Sequence, residues 1–190
     1  MAMRPFRKPT SDTFEEDLAR ARSHEWTPPA NELGTAVPMR LVLSDAGNCA
    51  ITVHSVIAFS CGFEFVLSAE CQSGKRKPLP SLAAAKGENR FTLALHLADG
   101  RVVGERVWQT GAGESRPVMV GQGGVYTKHG FDLPKWLWPL PPPGPLTLVF
   151  AWPGIVADAR GTTDVAPILA AAAECRALWP DSDHLPGCDL

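Results

Sequence analysis

Between Met39 and Trp152 apolar and polar residues alternate with a period of two, and on either side the spacing lengthens toward that of a helix. In "CAITVHSVIAF" the alternation assigns Ile51, Val53, Ile57 and Phe59 to one face, with Thr52 and His54 on the other. "FEFVLSAE" repeats it, with Phe63, Phe65 and Leu67 set against Glu64, Ser68 and Glu70. The short "SCG" between the two runs predicts an antiparallel hairpin. "RFTLALHLADGRVVGERVW" places Phe91, Leu93, Leu95 and Leu97 on one face, and its Asp99-Gly100 is a tight-turn signal. "RPVMVG" and "PLTLVFAW" predict further strands; in the second, Leu146, Leu148, Phe150 and Trp152 share a face.

Helical spacing brackets this region. "SDTFEEDLARARSHEW" has Thr13 and Glu16 at capping-box spacing and acidic residues in its first turn, with a thin stripe of Phe14, Leu18 and Ala21. "TTDVAPILAAAAECRALWP" offers Thr163 or Asp164 as N-cap and Pro167 in the first turn. Val165, Ile168, Leu169, Ala172, Cys175 and Leu178 then form one stripe, which predicts a helix over 164–179 stopped by Pro180. No strand–helix–strand alternation suggests a parallel sheet. The expected fold is mainly β, an antiparallel β-sandwich or open barrel, with a short N-terminal helix and a C-terminal helix packed at its periphery. The chain divides into an N-terminal arm, helix and linker (1–36), one β domain including the C-terminal helix (37–180), and a tail (181–190).

"WLWPLPPPGPLTLVFAWP", Trp136 to Pro153, interrupts the pattern. Proline has no ladder donor, so 139–145 is not an interior strand. Pro141, Pro142 and Pro143 favour stiff polyproline II. One reading is a ligand for an aromatic groove, with Lys135 as its basic neighbour. The preferred reading is a rigid connection whose prolines stack on Trp136, Trp138 or Trp152. Together with "DVAPILAAAAECRALWP", this stretch resembles an uncharacterised, mainly actinobacterial protein family over about the last sixty residues. The resemblance implies no activity, cofactor or catalytic residue; it implies that the corner and the C-terminal helix form one packed unit.

A length of 190 residues suits one self-sufficient core. Net charge is −2, so nothing at whole-chain level points to nucleic acid or an anionic membrane. No apolar run reaches a membrane-spanning length, and the N-terminus lacks the apolar stretch of a secretory signal. Cys49, Cys61, Cys71, Cys175 and Cys188 are odd in number and form no Cys-x-x-Cys, which predicts five free thiols in a reducing compartment and hence a cytoplasmic protein.

Catalytic and binding signatures are sparse. His24, His54, His96, His129 and His184 have no metal-binding spacing, and the ligand types Asp181, Asp183, His184 and Cys188 sit in a tail without a scaffold. Gly-x-Ser-x-Gly is absent; His54 and His96 are at most surface neighbours. "GAGESRP" and "GQGGVYTKHG" read as hairpin loops rather than phosphate cradles. Lys75, Arg76, Lys77, Lys86 and Arg90 lack interleaved aromatics and read as a solvated loop, not a nucleic-acid face. The expectation is a non-enzymatic interaction or assembly module, without cofactor or metal, whose partner is another protein or a second copy. Its candidate surface is Trp108, Tyr126, Trp136, Trp138, Pro141, Pro142 and Pro143. The alternatives are a small-ligand or carbohydrate binder using tryptophan platforms, and an enzyme with a dispersed site.

Overall fold

The computed structural model describes residues 27–45, 49–72, 91–106 and 117–179. The N-terminal helix expected near residues 11–26, Trp108, the basic loop of 74–90 and the tail from 180 lie outside the described residues.

The expected hairpin is present as β4 (Cys49–Ala58) and β5 (Phe63–Cys71), antiparallel and turned at Ser60–Gly62. Ile51, Val53, Phe63, Phe65 and Leu67 all lie in the core, as alternation requires. The phase of β4 changes partway along, however. His54 stands opposite Val66 and Ile57 opposite Glu64, so one extra residue bulges at Ser55, whose φ is +52°. Beyond the bulge Val56 and Ala58 enter the core, while Ile57 and Phe59 turn to the opposite face. The assignment of Ile57 and Phe59 to the face of Ile51 is therefore corrected.

Around this hairpin the chain builds one curled sheet, a half-barrel. It uses β2 (Thr35–Val37), β3 (Leu41–Ser44), β6 (Thr92–His96), β7 (Val102–Arg106), β8 (Val118–Gly121), β9 (Val125–Tyr126), β10 (Gly130–Trp138), β11 (Pro145–Trp152) and β12 (Val156–Asp164). Its order is β12-β11-β6-β7-β8-β10-β5-β4-β2, with β3 also on β4 and β9 also on β10. The Asp99-Gly100 turn joins β6 to β7, with Gly100 at φ +85°. Of the described pairings only β7–β8 is parallel, and it joins two antiparallel halves into the curl.

The curl brings β12 toward β3 without backbone pairing between them. A Cβ at Gly161 of β12 would stand 2.7 Å from Leu43 and 2.8 Å from Leu41, and the Thr163 hydroxyl donates to Met39 Sδ at 3.3 Å. Inside, Phe91 stacks with Phe131 and Phe150, and Trp152 packs tilted against Phe131, its centroid 5.4 Å from that of Phe131.

The C-terminal helix runs only from Ala166 to Ala173, not over 164–179. Asp164 Oδ1 accepts the Ala166 N–H at its start. Beyond Glu174 the chain extends as β13 (Arg176–Ala177), which pairs antiparallel with β1 (Glu32–Leu33). Pairing with a strand distant in sequence overrides the helical stripe that includes Leu178, now exposed.

The cysteines are a second correction. Cys49 and Cys71 stand opposite each other on the inner face and form a disulfide, while Cys61 and Cys175 are free. Cys188 lies outside the described residues. Cys49 shares the parity of Ile51 and Cys71 that of Leu67, but neither parity shows that strand register makes them partners.

Candidate functional site

Lys135 is the one buried charged residue among those described, 2 % exposed. It lies in β10 with the parity of Phe131, Leu133 and Leu137, all of which face the core. Phe65 stands beside it on β5 and Gly121 on β8. Its Nζ donates to Glu105 Oε1 at 2.6 Å. Glu105 belongs to β7, so the ion pair crosses over β8. Gly121 makes room for it: a Cβ there would lie 2.6 Å from Glu105 Oε1 and 3.2 Å from Lys135 Nζ. The bridge thus spans the parallel seam between the two halves of the sheet. Among the described residues no set of three or more His, Cys, Asp and Glu side chains converges as a metal site would require. An ammonium already satisfied by a carboxylate suits an architectural role.

On the outer face, Phe59, Trp136 and Trp138 are buried together, with Ile57 and Cys61 packed on them. Phe59 meets Trp136 edge to face at 5.6 Å. The Trp136 ring lies against Gly62, where a Cβ would be 2.6 Å from it. Its indole N–H is buried without an acceptor among the described residues. Opposite Trp136 on β5, Glu64 is half-buried; burial pushes its carboxyl above the usual range, opposed by a side-chain hydrogen bond with Gln122.

The tryptophans of the proline-rich stretch are therefore packed, not presented. Trp136 and Trp138 lie in the outer cluster and Trp152 in the core. Pro141 is buried, Pro142 half-buried and Pro143 exposed. The corner is tied down at both ends: Leu140 N–H donates to Cys61 O at 2.9 Å, and Val165 N–H donates to Gly144 O at 3.1 Å. The second bond joins it directly to the start of the helix. Lys135 is inside, so it does not flank an exposed proline ligand. Tyr126 is 52 % exposed on β9, apart from the buried tryptophans.

The other expected chemistry is dispersed. His54 on β4 and His96 on β6 are separated by four strands in the sheet order, so they do not form a pair. "GQGGVYTKHG" forms the end of β8, β9 and the turn into β10, where Thr127 Oγ1 accepts from the N–H groups of His129 and Gly130.

Sequence reasoning missed one surface. On the β1–β13 ribbon Leu33, Leu178 and Trp179 are exposed, Trp179 by 61 %. The Asn31 side chain holds the Trp179 backbone at both ends: Trp179 N–H donates to Asn31 Oδ1, and Asn31 Nδ2 donates to Trp179 O, each at 2.9 Å. Arg176, also exposed, takes part in none of the ion pairs among the described residues. Only the two-residue match of β1 to β13 creates this surface, so no local pattern announces it. Among the described residues no helix is long and apolar enough to cross a membrane. No family model, curated protein or solved structure matches the chain.

Proposed function

We propose that this chain is a non-enzymatic interaction or assembly module that engages another protein through the β1–β13 ribbon. The observation that carries the reading is Trp179, whose backbone is clamped by Asn31 while its ring stays largely exposed, with Leu178 and Leu33 exposed on the same ribbon. A tryptophan on a fixed backbone has only two side-chain torsions to lose on binding, and Trp with Arg is the composition of interface hot spots. The partner presents apolar side chains to Trp179, Leu178 and Leu33 and a carboxylate to Arg176. Burial of Trp136, Trp138 and Trp152 takes those three rings out of use as carbohydrate platforms, while Trp108 lies outside the described residues. A cytoplasmic setting stays part of the proposal although the Cys49–Cys71 bond removes the five-thiol ground for it, and in that compartment the bond would face a reducing thiol pool.

The test places a photo-crosslinking amino acid at position 179 in the producing cell and identifies the adduct, then repeats the experiment with Arg176→Glu. A single protein adduct that is lost with Arg176→Glu supports the reading. Diffuse labelling, or an adduct indifferent to charge at 176, overturns it.

A further inference from the structure

The Cys49–Cys71 bond lies at the end of the β4–β5 hairpin remote from its turn. Cys71 N–H donates away from β4, to His129 O at 2.8 Å, so Cys49 and Cys71 face one another at a non-hydrogen-bonded position of the ladder. No backbone bond joins β4 and β5 at that position; the sulfurs are the link. The next inner pair, Ile51 opposite Ala69, is core. Access differs between the two sulfur-bearing residues: Cys49 is buried at 8 % exposure, whereas Cys71 is only half-buried.

The free thiols described in the chain cannot serve this bond. Cys61 is in the hairpin turn, and Cys175 Sγ donates to Ala58 O at 3.1 Å, also at the turn end. Ten residues of extended β4 separate that end from Cys49, about 30 Å at strand spacing. Neither thiol among the described residues reaches the bond, so the attacking thiol is taken to be an external one.

We propose that Cys49–Cys71 is a thiol-addressable clasp on one end of the half-barrel, opened from the Cys71 side by a small thiol such as glutathione. A glutathione thiolate attacks Cys71 Sγ and forms a mixed disulfide; the Cys49–Cys71 bond breaks and Cys49 leaves as a thiolate that takes a proton from solvent. A second glutathione thiolate attacks the glutathione sulfur of the mixed disulfide, releasing Cys71 as a thiolate and glutathione disulfide. Two glutathiones are oxidised and the protein disulfide is reduced. With the link gone, the end of the hairpin frays while the segment held by its turn stays paired.

The experiment incubates the folded, purified chain in glutathione buffers of graded ratio and reads thiol count by mass, melting temperature, and backbone hydrogen exchange. The expected results are reduction without denaturant, a transient glutathione adduct on Cys71 rather than Cys49, and a fall in melting temperature of about 6–12 °C. Exchange should rise at 49–53 and 67–71 and stay unchanged at 56–65. The Cys49→Val/Cys71→Val variant should show the reduced protein's exchange pattern and ignore glutathione. A bond that opens only after urea unfolds the chain, an adduct on Cys49, or reduction that leaves melting and exchange unchanged would each overturn the clasp. Because no partner is involved, failure here leaves the ribbon interface standing.

Discussion

Lys135 and Glu105, thirty residues apart in sequence, meet at 2.6 Å across a strand that belongs to neither of them. The carboxylate side chain keeps 18 % exposure and the lysine side chain 3 %, so the two are unequal hostages to each other. Lys135→Ala should cost about 3 kcal/mol, toward the low end for a broken buried pair because Glu105 retains some water. Lys135→Met with Glu105→Leu should recover most of that loss. Urea denaturation of the single and double variants checks it; a double variant as unstable as the single would show that the charge pair is not what holds the seam.

Glu64 gives stability a pH dependence of definite sign. Its carboxyl is raised by burial, so the folded chain holds that proton more tightly than the unfolded one. The group's contribution is greatest below its ordinary value and declines as pH rises through the folded value. Glu64→Gln should therefore be more stable than the parent at pH 7, with the advantage gone at pH 4. Paired denaturation curves at the two pH values decide the matter.

Gly62 is fixed by two neighbours at once, since a Cβ there would stand 2.5 Å from Leu137 O and 2.6 Å from the Trp136 ring. Backbone cannot yield as a flexible side chain can. Gly62→Ala should cost about 1–3 kcal/mol, and it should blue- or red-shift tryptophan emission by disturbing Trp136. Unchanged emission together with unchanged melting would refute the contact.

For the proline corner, Pro141, Pro142 and Pro143 changed together to Ala should cost about 1–3 kcal/mol through the unfolded chain's entropy. Trp152→Ala should cost about 3–5 kcal/mol, since its ring packs edge-on to Phe91 and tilted against Phe131 in the core. Thermal melts of the two variants, compared with the parent, should rank them in that order.

Legibility in the sequence followed the range of the interactions. The β4–β5 hairpin, the Asp99-Gly100 turn and the strand Leu146–Trp152 are local, and alternation found them. The bulge at Ser55 was invisible because no residue there demands a positive φ. Strand β10 was concealed by Pro134, which argues against an interior strand. Its carbonyl accepts from Gln122 N–H at 3.0 Å, and its missing donor falls between the segments paired by β9 and β8. Edge strand β12 was missed because its sequence, "VADARGTTD", is polar. Lys135 does leave a signal, a charge on the parity of Phe131, Leu133 and Leu137, although its place before the proline run gives it the look of a flanking basic residue. The disulfide depends on the Ser55 bulge, which shifts the hairpin register by one so that Cys49 meets Cys71, and the exposed ribbon depends on register between distant segments, which no single window contains.

The pairing of Glu32–Leu33 with Arg176–Ala177 has a consequence for how the molecule is made. Emerging from a ribosome at about 5–20 residues per second, β1 waits many seconds for its partner to be translated. The curl can meanwhile assemble from β4 onward, but the ribbon that carries Trp179 closes only once residue 177 is free of the exit tunnel. The ribbon thus closes after every strand of the described sheet has been synthesised, so a chain stalled before Arg176 holds most of that sheet and lacks the proposed contact surface.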